Sequence, residues 1–200
     1  MKNSSKINVN RGFTLVELLV VIAIIAVLAA AGFQGGAMAM NRARKVSAQT
    51  MATSIQIAAD QFYTEYSALP DPGTNDSDKE FNTTSDDDGL TLLNILAGVD
   101  DGDQNSRKMR FLSGKEAKNG KDGIEYSTNP VDGKYPIVGI YDPWGQPFYI
   151  WLDYDYDERL TFTPKGLSKS YKLNGRRVAV YSQGVAQSGD AKPNTLVKSW

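Results

Sequence analysis

The sequence contains neither cysteine nor histidine. Without a thiol or an imidazole there is no Cys or Ser–His nucleophilic chemistry, and the usual zinc ligands are missing. Disulfides are excluded as well, so cysteine usage says nothing about the compartment. Carboxylate or lysine catalysis stays open, but the acids sit in loop-like stretches without a convergent partner, and the chain reads as a non-enzyme. The formal net charge is −1, and Lys2, Lys6 and Arg11 stand in residues 1–12 without a compensating acid. The remaining body is therefore mildly acidic, and no nucleic-acid partner is expected.

What is present begins at Phe13. The run Phe13–Phe33, FTLVELLVVIAIIAVLAAAGF, is apolar apart from one charge. As a helix it would be about 31 Å long, close to the hydrocarbon thickness of a bilayer. Basic residues before it and none close behind place the N-terminus in the cytoplasm, with the rest beyond the membrane. Three readings fit this composition. One is a secretory signal peptide with a small-residue site within Ala29–Ala31. Another is a plain membrane anchor, and the third is a subunit that stacks through its helix. Glu17 is the residue that the first two leave unexplained, because an ionisable group in an apolar segment usually has a partner and a task. It lies one turn after Phe13, on the same face. A cut after Gly12 would give Phe13 a free amine, able to pair with the Glu17 carboxylate of a neighbouring copy.

Gly12-Phe13-Thr14-Leu15-Val16-Glu17, with the apolar run following the glycine, resembles the prepilin cleavage motif. The resemblance implies removal of residues 1–12 as a leader by prepilin peptidase and N-methylation of Phe13. It further implies assembly with copies of itself, at an inner-membrane platform, into a helical filament of the type IV pilus or type II secretion kind. Glu17 is then an assembly residue.

Beyond Arg42 the apolar residues Val46, Met51, Ile55, Ala58 or Ala59, Phe62, Tyr66 and Leu69 recur at helical spacing, and Pro70 ends the stripe. Residues 34–69 thus read as a continuation of the 13–33 helix, and 70–200 as an extracytoplasmic head. Gly32, Gly35 and Gly36 mark the helix's weakest stretch, each costing about 1 kcal/mol relative to Ala.

In the head, 71–89 reads as an acidic loop whose Asp86–Asp88 caps the short helix Leu90–Ala97, which is closed by Gly98. Residues 100–123 read as a solvated charged loop, and from Ile137 onward β-branched and aromatic runs predict strands. The expected fold is α+β, a long N-terminal helix packed on a small antiparallel sheet. Asp142-Pro143-Trp144-Gly145-Gln146-Pro147-Phe148-Tyr149 reads as a tight turn in which Asp142 bonds nearby amides and Trp144 anchors the core. It also resembles the Asp-Pro-Trp-Gly-x-Pro-aromatic turn of the major pseudopilins of type II secretion. Leu69-Pro70, Gly89-Leu90 and the ending Val180-Tyr181-Ser182-Gln183-Gly184 are similar to that family too, whereas about 100–134 looks like an insertion. The resemblance implies a pilin-like fold and a pseudopilus subunit for protein export, partnered by minor pseudopilins. A type IV pilin for adhesion, motility or DNA uptake is the alternative, and the absence of a C-terminal cysteine pair counts against it.

The same family implies calcium in the loop after the final Ser-x-Gly, where Ser182 and Asp190 are candidate ligands. Val185-Ala186-Gln187 stands where an acid is usual, which weakens that site. Asp153-Tyr154-Asp155-Tyr156-Asp157 is a second calcium candidate, with Glu158 in the place where an EF-hand needs glycine. The competing reading is an exposed strand end or hairpin carrying solvated aspartates.

Overall fold

The computed structural model describes residues 13–73, 76–85, 87–99, 104–131, 133–185 and 196–200, with the side chains of 31–35 left out of the description. The helix α1 runs over Leu15–Tyr66. No proline interrupts that sequence, and the helix continues through Gly32, Gly35 and Gly36. It stops at Tyr66, ahead of Pro70, because Ser67 turns into the left-handed region (φ 57°) while its amide still bonds the Tyr63 carbonyl at 2.8 Å. The chain divides into two compact units, Met1–Arg42 and Ala43–Trp200. The second takes in the upper part of α1.

That unit is α+β, in a pilin-like arrangement. Its remaining elements are β1 Lys79–Asn82, α2 Asp87–Ala97, β2 Gly123–Tyr126, β3 Ile137–Tyr141, β4 Phe148–Leu152, β5 Arg159–Phe162, β6 Tyr171–Asn174, β7 Val178–Ser182 and β8 Val197–Lys198. The order β1-β4-β7-β8 makes a four-stranded sheet, and β2-β3 and β5-β6 form two-stranded ribbons. All of these pairs are antiparallel.

The central sheet is covered on both faces. Side chains alternate along a strand, so Phe148, Ile150 and Leu152 of β4 and Val178 and Val180 of β7 share one core with Ala48, Ala52, Ile55, Ala59 and Phe62 of α1 and Leu92, Leu93 and Leu96 of α2. Tyr149, Ala179 and Tyr181 point the other way, into a second core with Leu160, Phe162 and Leu196, flanked by Trp151, Tyr171 and Trp200. Rings fill that layer. Trp151 stacks on Phe162 at 5.2 Å, Tyr149 on Tyr181 at 5.0 Å, and Trp200 meets Phe162 edge-on at 5.6 Å. Glu80 collects the polar ends, accepting from Tyr181 Oη at 2.6 Å and Trp151 Nε1 at 2.9 Å.

Two stretches expected to be loops are more than that. Within 71–89, Lys79–Asn82 is the edge strand β1, paired Lys79↔Leu152 through Asn82↔Tyr149. Only Phe81 of it is fully buried, so a single apolar residue gave no alternation to read. Residues 100–123 also depart from the solvated-loop reading. Asn105 is buried and its amide nitrogen donates to the carbonyls of Ile95 and Met109, while the amides of Phe111 and Leu112 bond the Leu96 carbonyl. That segment therefore satisfies the open carbonyls at the end of α2. Further along, β2 begins at Gly123, and Ile124 is fully buried.

The helix α2 ends as expected at Gly98 (φ 71°). The Val99 amide reaches the Asn94 carbonyl and the Gly98 amide that of Ile95, the Schellman pattern. Asp87 and Asp88 lie in its first turn, suited to the positive helix end, and Asp88 also pairs with Lys79 at 2.8 Å. Asp86 falls outside the described residues.

Candidate functional site

The N-terminal end of α1 is the first candidate site. Thr14 is the N-cap: the Glu17 amide donates to Thr14 Oγ1 at 3.2 Å, and Glu17 Oε2 accepts from the Thr14 amide at 2.9 Å and the Thr14 hydroxyl at 2.7 Å. This reciprocal pair is a capping box, which Thr and Glu three apart ahead of an apolar run encode. All of these contacts to the carboxylate use Oε2, and Oε1 makes no hydrogen bond among the described residues. Phe13 precedes the cap and is 75% exposed, while Gly12 lies outside the described residues.

Every large apolar side chain from Phe13 to Leu28 is exposed in the isolated chain. An uninterrupted apolar surface of this kind signals a partner surface or a lipid environment. Among the described residues no helix is long and apolar enough to cross a membrane. The stretch from Leu15 to Ala30 spans about 24 Å at helical rise.

In the head, Asp142 organises the turn between β3 and β4. Its Oδ1 accepts the amides of Trp144 and Gln146, both at 2.8 Å, and its Oδ2 accepts the Ser182 hydroxyl at 2.5 Å. Gly145 takes φ 86°, where a side chain would be strained. Burial pushes the Asp142 carboxyl above its ordinary value, against the opposing pull of the Ser182 hydroxyl and the turn amides. Ser182 is thus committed to this turn and also accepts the Gly184 amide at 3.1 Å. Its proposed companion Asp190 lies outside the described residues.

The second acidic candidate has a different membership from the one expected. One carboxylate oxygen each from Asp78, Asp153 and Asp155 lie within 4.8 Å of one another. Asp157 is not in this group; its Oδ1 accepts the Arg159 amide at 2.8 Å. The 153–158 segment is a loop between β4 and β5, not a strand, and Asp153 is fully buried instead of solvated. Asp153 Oδ2 accepts the Glu158 amide at 2.9 Å, while Asp153 Oδ1 and Asp78 Oδ1 are buried without a hydrogen-bond partner among the described residues. Desolvation pushes the Asp78 carboxyl up to about 6, reinforced by the charges of Asp155, Asp153 and Asp157. Burial raises Asp153 too, as does its contact with Asp155. Asp78 was missed from the sequence because nothing in its spacing links it to a loop so far along the chain. The link is the β1–β4 register, which places it opposite Asp153.

Residues 7–33 match the family model of the prokaryotic N-terminal methylation motif. No curated protein and no solved structure matches this chain. The chain thus carries a type IV prepilin-like N-terminus, the kind that implies processing by a prepilin peptidase and filament assembly.

Proposed function

We propose that this chain is a filament subunit, made as a membrane-anchored precursor and polymerised through α1. The observation that carries the reading is the methylation motif running directly into a capped helix whose apolar side chains are exposed from Phe13 to Leu28. A lone chain in water would hide such a surface, whereas a bilayer and then the core of a filament would cover it. The sequence to Phe33 extends the apolar stretch to about 31 Å, a bilayer's hydrocarbon span.

In this reading residues 1–12 are the leader, cut after Gly12 on the cytoplasmic side, and Phe13 receives the N-methyl group. Residues 13–33 hold the subunit in the inner membrane and later form the filament core, with 34–69 continuing the helix and 70–200 forming the head beyond the membrane. Glu17 serves as the partner of a neighbour's Phe13 amine. The finer assignment is to a pseudopilus of the type II secretion kind, and it rests on the resemblance of the Asp142–Tyr149 turn and the Val180–Gly184 ending to major pseudopilins.

Mass spectrometry of the N-terminal peptide from membranes tests the first level. N-methyl-Phe at position 13 is expected, and a start near Gly32 would instead make this a signal peptide. Imaging of the assembled product tests the second. Short filaments confined to the envelope fit a pseudopilus, and long surface fibres would transfer the chain to the type IV pili.

A further inference from the structure

Asp78 immediately precedes β1 and Asp153 immediately follows β4, and Lys79 and Leu152 are the last paired residues between those strands. The two carboxylates therefore flank the end of one ladder. Like charges set opposite each other in this way repel, and Asp155 adds a third. Lys79, which follows Asp78, pairs with Asp88, and Arg177 pairs with Glu158. Among the described residues Asp78 Oδ1 and Asp153 Oδ1 are buried with no donor, and Asp153 is fully buried. Unsatisfied buried acceptors are uncommon and ask for an explanation, and a bound cation is one that also offsets the repulsion.

We propose that Asp78, Asp153 and Asp155 bind a calcium ion. Calcium holds oxygens at about 2.3–2.6 Å and so bridges ligands about 5 Å apart across the ion. The mutual separation of the three oxygens, within 4.8 Å, meets that span. Asp155 is exposed and provides the open side through which the ion enters and keeps water ligands. The site stands at the Leu152 end of β4, whereas Ser182 pairs with Phe148 at the other end, so it is distinct from the Ser182–Gly184 ending.

Its position gives it a structural task. The loop between Asp153 and Glu158 also holds the upper end of α1. Tyr154 Oη donates to the Pro70 carbonyl at 2.8 Å, and the Leu69 amide donates to Tyr156 Oη at 3.2 Å. Neutralising the aspartates fixes this loop and, through the two tyrosines, the exit from the helix. The inference is independent of the filament reading.

The test uses the full chain in detergent, stripped with chelator and titrated with calcium chloride, followed by calorimetry and thermal melting. One equivalent is expected to bind and to raise the melting temperature. Asp78→Asn and Asp155→Asn should each weaken binding at least tenfold, yet melt no lower than the parent in chelator, since each removes repulsion. Asp157→Asn and Asp190→Asn should bind as the parent does. Absence of binding at millimolar calcium overturns the proposal, as does binding that survives Asp78→Asn and Asp155→Asn or disappears with Asp190→Asn.

Discussion

The structure shows one role of Glu17, the capping box with Thr14, and the proposed filament adds a second, the Phe13 amine of a neighbouring copy. Its Oε2 closes the capping box with Thr14, while Oε1 makes no hydrogen bond among the described residues. Thr14 shares only the capping task. Thr14→Ala should therefore still assemble with modest loss, whereas Glu17→Ala should insert and assemble poorly; equal filament yields from the two variants would reduce Glu17 to a cap. Asp142 offers a second contrast at this scale. Truncation to Ala strands two amides and a hydroxyl in a buried turn and should cost about 3 kcal/mol. Asp142→Asn keeps an oxygen for the amides and turns Ser182 into an acceptor, so about 1 kcal/mol is expected in denaturant titrations. The pH dependence follows from the raised pKa. The folded carboxyl holds its proton more tightly than the unfolded one, whose ordinary value is 3.8, so its contribution to stability is largest below that value and is lost as pH rises through the folded pKa. The stability difference between parent and Asp142→Asn should shift against the parent over that rise, and a flat difference would contradict it.

At the scale of elements, legibility in the sequence followed periodicity. The α1 stripe from Met51 to Phe62 was visible from its helical spacing, though Val46 of that stripe is exposed, and the α2–Gly98 cap and β3, β4, β5 and β7 from their closing glycine and their β-branched and aromatic runs. β1, β2, β6 and β8 were not, since they are two to four residues long and bury few side chains of their own. Their pairing is dictated by partners far along the chain. The acidic cluster shows the same limit: Asp153 and Asp155 were readable from alternation, but Asp78 joins them only through the β1–β4 register. The junction of β1 with α2 yields a test in which two effects oppose. Gly89 lies inside α2, where Ala would favour the helix by about 1 kcal/mol. A Cβ there would stand 2.0 Å from the Asn82 carbonyl oxygen, a backbone atom with no freedom to swing away. The clash should dominate, and Gly89→Ala is expected to lose about 3 kcal/mol or more in thermal unfolding; a stabilised variant would mean that β1 does not approach α2 so closely.

Across the whole molecule, the two units present opposite surfaces. Ala43–Trp200 gathers its buried apolar groups into two cores, whereas the large apolar side chains from Phe13 to Leu28 are exposed among the described residues. The double cover of the central sheet has a consequence for how the sequence tolerates change. A sheet with one wet face accepts substitutions at every second position, which leaves a comb of permissive and intolerant sites. Every residue of β7 is buried, as is all of β4 apart from the half-buried Trp151, while β5 alternates between exposed and buried. Among diverged copies of this head, 148–152 and 178–182 should drift as two solid, slow blocks, and the comb should survive only in the outer ribbon.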